Sequence, residues 1–231
     1  MRERCVSERS RTDARRPPVV DDRWWRGMDA VVAERIGGNG RVLDIGCGDG
    51  GFVERLCARG IDAIGVDPRA PVHPRLIAEV VEDVGAIGEF DAVSAVMALH
   101  HTKLDVVVAA IRRLLRPGGQ LFVYEFAWEV YDARAEAWLA AHDSSAGDNS
   151  VARWRLKHTG LHTGVAVRTA LATALELREE SERPYLARML GIAELEAEEQ
   201  ALIAAGALPA IGRWYVGRLP NGPEDVTDRL G

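Results

Sequence analysis

Between residues 41 and 127, short apolar runs alternate with stretches of helical spacing. VLDI (42–45) reads as a buried strand, and Phe52, Val53, Leu56 and Cys57 as the apolar face of a helix stopped at Gly60. AIGVD (63–67) is a second strand broken by Pro68, and a third is expected within LIAEVV (76–81). FDAVSAVMAL (90–99) is apolar enough to be a central strand. Leu104, Val107, Val108, Ile111, Leu114 and Leu115 follow helical spacing, RPGG (116–119) reads as a helix stop and turn, and LFVYEFA (121–127) as the fifth strand.

The flanks are less regular. Residues 1–20 are polar, arginine-rich and closed by Pro17-Pro18, which predicts a flexible tail ahead of a single domain over 21–231. A helix is expected after Asp21-Asp22, with Trp24, Trp25, Met28, Val31, Val32 and Ile36 as its stripe and Gly37-Gly38 as its end. Beyond Ala127 the rhythm lapses, so 128–164 is expected to be an insertion forming a lid or substrate-binding element. Helical spacing resumes over 165–174, and 193–206 is a further helix. LELREESE (175–182) and RWYVGRL (213–219) supply two more strands. The expected fold is α/β: doubly wound and Rossmann-like, with a mostly parallel seven-stranded sheet, helices on both faces and an insertion after strand five.

Composition narrows the partners. A length of 231 residues suits one domain, and a formal net charge of −6 offers no footprint for nucleic acid or an anionic membrane. Lys103 and Lys157 are the only lysines, so arginine is a compositional bias here and a weak sign of anion binding. Cys5, Cys47 and Cys57 have no metal-ligand spacing, which points to reduced thiols and a cytoplasmic chain. No apolar run is long enough to span a membrane, and Arg15-Arg16 has no apolar segment behind it to serve export.

The chemistry concentrates in RVLDIGCGDGGF (41–52), which contains GxGxxG at Gly46, Gly48 and Gly51. A tight strand-to-helix turn of this kind lets a cofactor approach the backbone, and Asp67 at the end of strand two can accept hydrogen bonds from vicinal ribose hydroxyls. Both NAD and S-adenosylmethionine meet those terms. Asp44, beside the loop, separates them, because a carboxylate repels a pyrophosphate and suits a cationic amine and sulfonium. An NAD-dependent oxidoreductase would also need a hydride-transfer pair such as Tyr-x-x-x-Lys, and none is present.

VLDIGCGDG, the acid ending strand two, FDAV on strand four and LLRPGG before strand five occur in one order. In this the chain resembles the class I S-adenosylmethionine-dependent methyltransferases, the small-molecule group in particular, over residues 40–127. A looser similarity runs through EFAWEVYDARAEAW (125–138). The resemblance implies that Gly46, Cys47, Gly48 and Gly50 approach the methionine end of the cofactor, with Asp44 near its amine. It further implies that Asp67 binds the ribose, Pro68 flanks the adenine, and Asp83 with Val84 receives the adenine edge, Glu82 and Glu79 being alternatives to Asp83.

Methyl transfer is an in-line displacement in which alignment supplies much of the rate, and a base is needed only where the acceptor carries a proton. His100 and His101 end strand four and are the candidate bases, with cofactor-pocket packing as the alternative. Glu125, Trp128 and Tyr131 beyond strand five, with Trp154, His158 and His162 in the insertion, are candidates to line the acceptor site or to pack it. His158 and His162 stand four apart and would share a helix face, but no third ligand accompanies them and Gly160 intervenes, so no metal is expected. ALHH after strand four is not the [DN]PPY of planar amino-nitrogen methylation, no Pro-Cys suggests cytosine C5 chemistry, and two lysines cannot supply a Lys-Asp-Lys-Glu set. By elimination the partner is a small-molecule methyl acceptor, served by a monomer or homodimer. A catalytically silent relative that only binds cofactor or a partner is the alternative of another class.

Overall fold

The computed structural model describes residues 22–142 and 148–221. The arginine-rich segment 1–20, with Cys5, and the residues 143–147 expected as part of a loop lie outside the described residues. Seven strands form one sheet: β1 (Arg41–Ile45), β2 (Asp62–Val66), β3 (Leu76–Ile77), β4 (Phe90–Val96), β5 (Leu115–Phe126), β6 (Glu176–Arg183) and β7 (Gly212–Arg218). Their order is β3-β2-β1-β4-β5-β7-β6. The first five are parallel, and β7 runs antiparallel to both β5 and β6. Strand order reverses between β1 and β4, and open sheets of this kind bind ligands beyond the carboxyl ends of their strands at such a point.

The helices are α1 (Met28–Ile36), α2 (Gly51–Ala58), α3 (Leu104–Leu114), α4 (Ala133–His142), α5 (Val151–His158), α6 (Gly164–Ala174), α7 (Leu186–Leu190) and α8 (Glu196–Ala204). Because side chains alternate along a strand, the sheet buries two separate apolar layers. Leu43, Val93, Leu121 and Val123 pack with Val107 and Ile111 of α3 and Leu171 of α6. Val42, Ala92, Phe122 and Trp214 face the other way, with Val32 of α1 and Phe52 and Leu56 of α2. A third cluster joins Phe126, Tyr131, Trp138 and Trp154 to Tyr185 and Leu186, so the segment after β5 carries its own core. No helix among the described residues is long and apolar enough to cross a membrane.

Three local expectations change. The first helix begins at Met28 because Gly27 takes φ +80, leaving Trp24 and Trp25 in the preceding turn. Trp25 is buried nonetheless, 5.5 Å from the Phe52 ring. β3 falls within LIAEVV as expected and takes only its first two residues, Glu79 and Val80 being exposed beyond it. RPGG does not end before the fifth strand but bulges within it. The pairing steps from Phe90↔Leu115 to Ala92↔Gln120, and Gly118 (φ +74) donates its N–H to Leu219 O. Finally, α5 stops at His158 and Gly160 takes φ +97, so His158 and His162 do not share a helix face.

Candidate functional site

The loop after β1 is built by its glycines. Gly46 takes φ +73, and a Cβ there would lie 2.4 Å from Ala98 Cβ, so the segment leaving β4 presses on the turn. Gly46 and Cys47 both direct their N–H groups to Val66 O, tying the loop to the end of β2. Gly48 (φ +56) has nothing within 4 Å on its Cβ side, so its backbone faces open space, and Gly50 (φ +88) caps α2. Cys47 turns inward onto Gly65, where a Cβ would lie 2.6 Å from its Sγ. Burial, then the charges of Asp44 and Asp67, push its thiol up to about 12, so only its backbone is offered to a ligand.

Two buried carboxylates flank this turn. Asp44 accepts a hydrogen bond from Ser94 Oγ at 2.8 Å. Burial raises its pKa to about 7, the Ser94 bond opposing and the Asp67 charge adding. Asp67, just past β2, accepts from Arg69 N–H at 2.7 Å and from Gly48 N–H at 3.3 Å. Paired acids at one turn suit a ligand carrying positive charge and oppose a pyrophosphate. Pro68 is exposed beside them. The acids weighed for the adenine, Glu79, Glu82 and Asp83, are all exposed, around a turn in which Asp83 N–H bonds Val80 O. The Val84 side chain is buried in the core with α3.

Past β4, Met97 takes φ +52 and donates its N–H to Tyr124 O, turning the chain into the tight turn Leu99–His101. Glu125 stands behind that turn. It is fully buried and accepts from Leu99 N–H at 2.6 Å and from His100 N–H at 3.4 Å. His100 Nδ1 lies 2.7 Å from its other oxygen. The expectation that Glu125 lines the acceptor space is therefore corrected: its carboxylate is turned inward, where it fixes the histidine. A carboxylate accepts only, so Nδ1 carries the proton and Nε2 is the free acceptor. His101 is exposed, with its ring 4.1 Å from that of His100. Desolvation of the covered part of the ring, then His100, lower its pKa.

The segment after β5 wraps this turn with indoles and imidazoles whose inner nitrogens are committed. Trp128 Nε1 donates to His162 O, and Trp154 Nε1 donates to Trp128 O. His158 Nδ1 meets Trp154 O at 2.7 Å, and His162 Nε2 meets Thr102 O at 2.8 Å. Tyr131 is corrected like Glu125. It is buried, stacked 4.2 Å from Trp154, and its hydroxyl donates to Asn149 O, so it backs the wall rather than facing a ligand.

Phe126 is the hub, with His100 edge-on at 4.7 Å, His158 edge-on at 5.4 Å and Tyr185 stacked at 5.2 Å. Among the described residues, the buried side-chain polar atoms lacking a partner are Ser181 Oγ and Arg188 Nε. His100 Nε2, His158 Nε2 and Tyr185 Oη therefore reach accessible space. Tyr185 is held by Glu199, which is fully buried and accepts the N–H groups of Tyr185, Leu186 and Ala187 at 2.8–2.9 Å. Nothing local in AELEAEEQ distinguishes Glu199 from its exposed neighbours. Among the described residues no three metal-ligating side chains gather.

Comparison with known proteins agrees with this geometry. A family model described as "Methyltransferase domain" matches residues 22–175, more than half of the chain. An uncharacterized methyltransferase of Mycobacterium tuberculosis is 33% identical over 104 residues, 41% of this chain and 42% of that protein. A ubiquinone biosynthesis O-methyltransferase of Dechloromonas aromatica is 32% identical over 101 residues, 36% of this chain and 43% of that one. The chain thus spans less than half the length of these curated relatives. The N-methyltransferase NodS of Bradyrhizobium japonicum, solved with S-adenosyl-L-homocysteine, shares the fold at a TM-score of 0.53 and 18% identity, over 87% of this chain and 88% of that one. The chain belongs to the methyltransferase-domain family, the class I S-adenosylmethionine-dependent methyltransferases.

Proposed function

We propose that the protein transfers a methyl group to a protic atom of a small-molecule acceptor, with His100 as the base and Glu125 as the group that orients it. The observation that carries this reading is the buried 2.7 Å contact between His100 Nδ1 and Glu125, which leaves Nε2 at accessible space.

The loop residues fit the cofactor. Gly48 offers an open backbone, Asp44 suits a primary amine, and Asp67 keeps lone pairs for ribose hydroxyls beyond its two bonds to N–H groups. Asp83, Glu82 or Glu79 would receive the adenine amino group. When bound, S-adenosylmethionine supplies an electrophilic methyl on a sulfonium. The chain's own residues do the rest. His100 Nε2 accepts the acceptor's proton, Glu125 stabilises the resulting imidazolium, and the aromatic wall of Phe126, Trp128 and Tyr185 excludes water and favours a planar or apolar acceptor. His158 Nε2, Tyr185 Oη and His101 would orient that acceptor. Trp154 and His162 hold the wall in place. A general base of this kind contributes ~10²–10⁴-fold.

The test is S-adenosyl-L-homocysteine formation with a panel of small phenols, alcohols, thiols and amines. Turnover on a protic acceptor, lost in His100→Ala with cofactor binding retained, is the expected result. Wild-type rates in both His100→Ala and His101→Ala would refute the base. Bound cofactor without turnover on any acceptor would favour the silent relative.

A further inference from the structure

Two histidines of the segment after β5 share one local device. Trp138 and His142 on α4, and Trp154 and His158 on α5, stand four residues apart, with ring centroids 4.2 Å apart in each pair. In both, Nδ1 meets the carbonyl oxygen of the tryptophan, at 2.8 Å for His142 and 2.7 Å for His158. A carbonyl only accepts, so Nδ1 is the donor in each.

The second nitrogen separates them. His142 Nε2 meets Glu198 at 3.4 Å, which completes a structural role. His158 Nε2 has no partner among the described residues, and it is not sealed in as Ser181 Oγ and Arg188 Nε are. Desolvation lowers the His158 pKa, so the ring is neutral at pH 7 and Nε2 offers a lone pair to accessible space.

His158 also stands beside the proposed base. Its ring is edge-on to Phe126 at 5.4 Å, as that of His100 is at 4.7 Å. The loop leaving α5 returns to the same turn, where His162 N–H donates to His100 O at 3.2 Å. His100 Nε2 is a bare acceptor for the same reason, its Nδ1 proton being held by Glu125. Two lone pairs thus border one aromatic wall. They oppose a carboxylate or an ether oxygen, and each is satisfied by an O–H or N–H group. A phenolic O–H suits both nitrogens, because it donates strongly to imidazole and can lose its proton to it.

We propose that His158 sets acceptor specificity by taking a hydrogen bond from a second hydroxyl, so that the preferred acceptor is an aromatic ring with two hydroxyl groups. This rests on the assignment of His100 as base. The hydroxyl at His100 gives its proton to Nε2 as its oxygen takes the methyl group, and the departing thioether is neutral. The second hydroxyl keeps its proton and donates to His158 Nε2.

The three dihydroxybenzenes, each against its monomethyl ether, test this by initial rates and by calorimetry on the S-adenosyl-L-homocysteine complex. The ether keeps the ring and one hydroxyl and replaces the second donor by an acceptor. For at least one isomer, KM and Kd are expected to lie about tenfold or more below those of its ether. His158→Ala should raise that KM about tenfold and leave the ether's KM and both kcat values within about twofold. His158→Gln, whose amide oxygen can still accept, should recover part of the loss, and S-adenosyl-L-homocysteine binding by both variants shows that they are folded. Equal constants for every dihydroxybenzene and its ether, an unchanged KM in His158→Ala, or an equal rise for both partners of a pair would overturn the proposal. Turnover confined to acceptors with a single donor would overturn it and leave the His100 reading standing. Wild-type rates in His100→Ala with the His158 effect intact would refute the base alone.

Discussion

His100, in the turn after β4, and Glu125, near the end of β5, stand 25 residues apart and meet at 2.7 Å in a buried contact. Glu125 also accepts backbone N–H groups of Leu99, His100 and Phe126, so one carboxylate sets both the turn after β4 and the tautomer of its histidine.

Glu125→Gln puts this to a test. An amide offers one acceptor oxygen where four donors now converge, so an NH₂ must face a donor. We expect kcat to fall by about 10²-fold or more and stability by about 1–3 kcal/mol. Affinity for S-adenosyl-L-homocysteine should hold. Steady-state kinetics and calorimetry together check this, and an unchanged kcat would leave Glu125 a purely structural group.

Asp44 gives the cofactor step a pH dependence. Its pKa stands at about 7 through burial, against an ordinary 3.8. The cationic amine favours the ionised form, so affinity should fall as pH drops below 7, with a proton released on binding at about pH 6. Without ligand the sign is opposite: the folded state keeps a proton that the unfolded chain has lost, so Asp44 favours folding below its unfolded pKa and loses that contribution as pH rises through 7. Calorimetry in two buffers of different ionisation enthalpy reads the proton directly. Asp44→Asn should abolish the dependence.

Asp67→Ala removes both the ribose acceptor and the anchor of Gly48 N–H and Arg69 N–H. Charge-assisted bonds of about 1.5–3 kcal/mol each predict a loss of cofactor affinity of at least about tenfold with the fold intact. Titration of the variant, with circular dichroism as the folding control, decides it. Wild-type affinity would be incompatible with Asp67 as the ribose ligand.

Gly46→Ala should strain the turn twice, through φ +73 and through the 2.4 Å approach to Ala98 Cβ. We expect a loss of about 1–3 kcal/mol and weaker cofactor binding. Ala98→Gly in the same chain relieves the steric part alone, so a partial recovery of Tm separates the clash from the left-handed backbone. No change in Tm for the single variant would mean that the turn is looser than its contacts imply.

Much of this was legible in the residues. The strands flanking the loop, the glycines that turn it and Asp67 at the end of β2 are local signals, in which period and punctuation agree. The start of α1 and RPGG were misleading because tertiary context decided each: a left-handed Gly27 delays the helix, and a bulge carries Arg116–Gly119 into the sheet. The inward roles of Glu125 and Glu199 had no local sign, since each depends on backbone donors brought in from distant residues. Asp83 could not be told from Glu82 or Glu79 by spacing, because all three lie exposed along an irregular segment between strands.

The most direct test of the central claim is a single-turnover measurement with S-adenosylmethionine-loaded protein and an acceptor found in the panel, comparing wild type with His100→Ala across pH. We predict that His100→Ala transfers the methyl group about 10²-fold more slowly than wild type or worse, while binding S-adenosyl-L-homocysteine normally. Equal rates and equal pH profiles in the two proteins would contradict it and leave His100 a wall of the cofactor pocket.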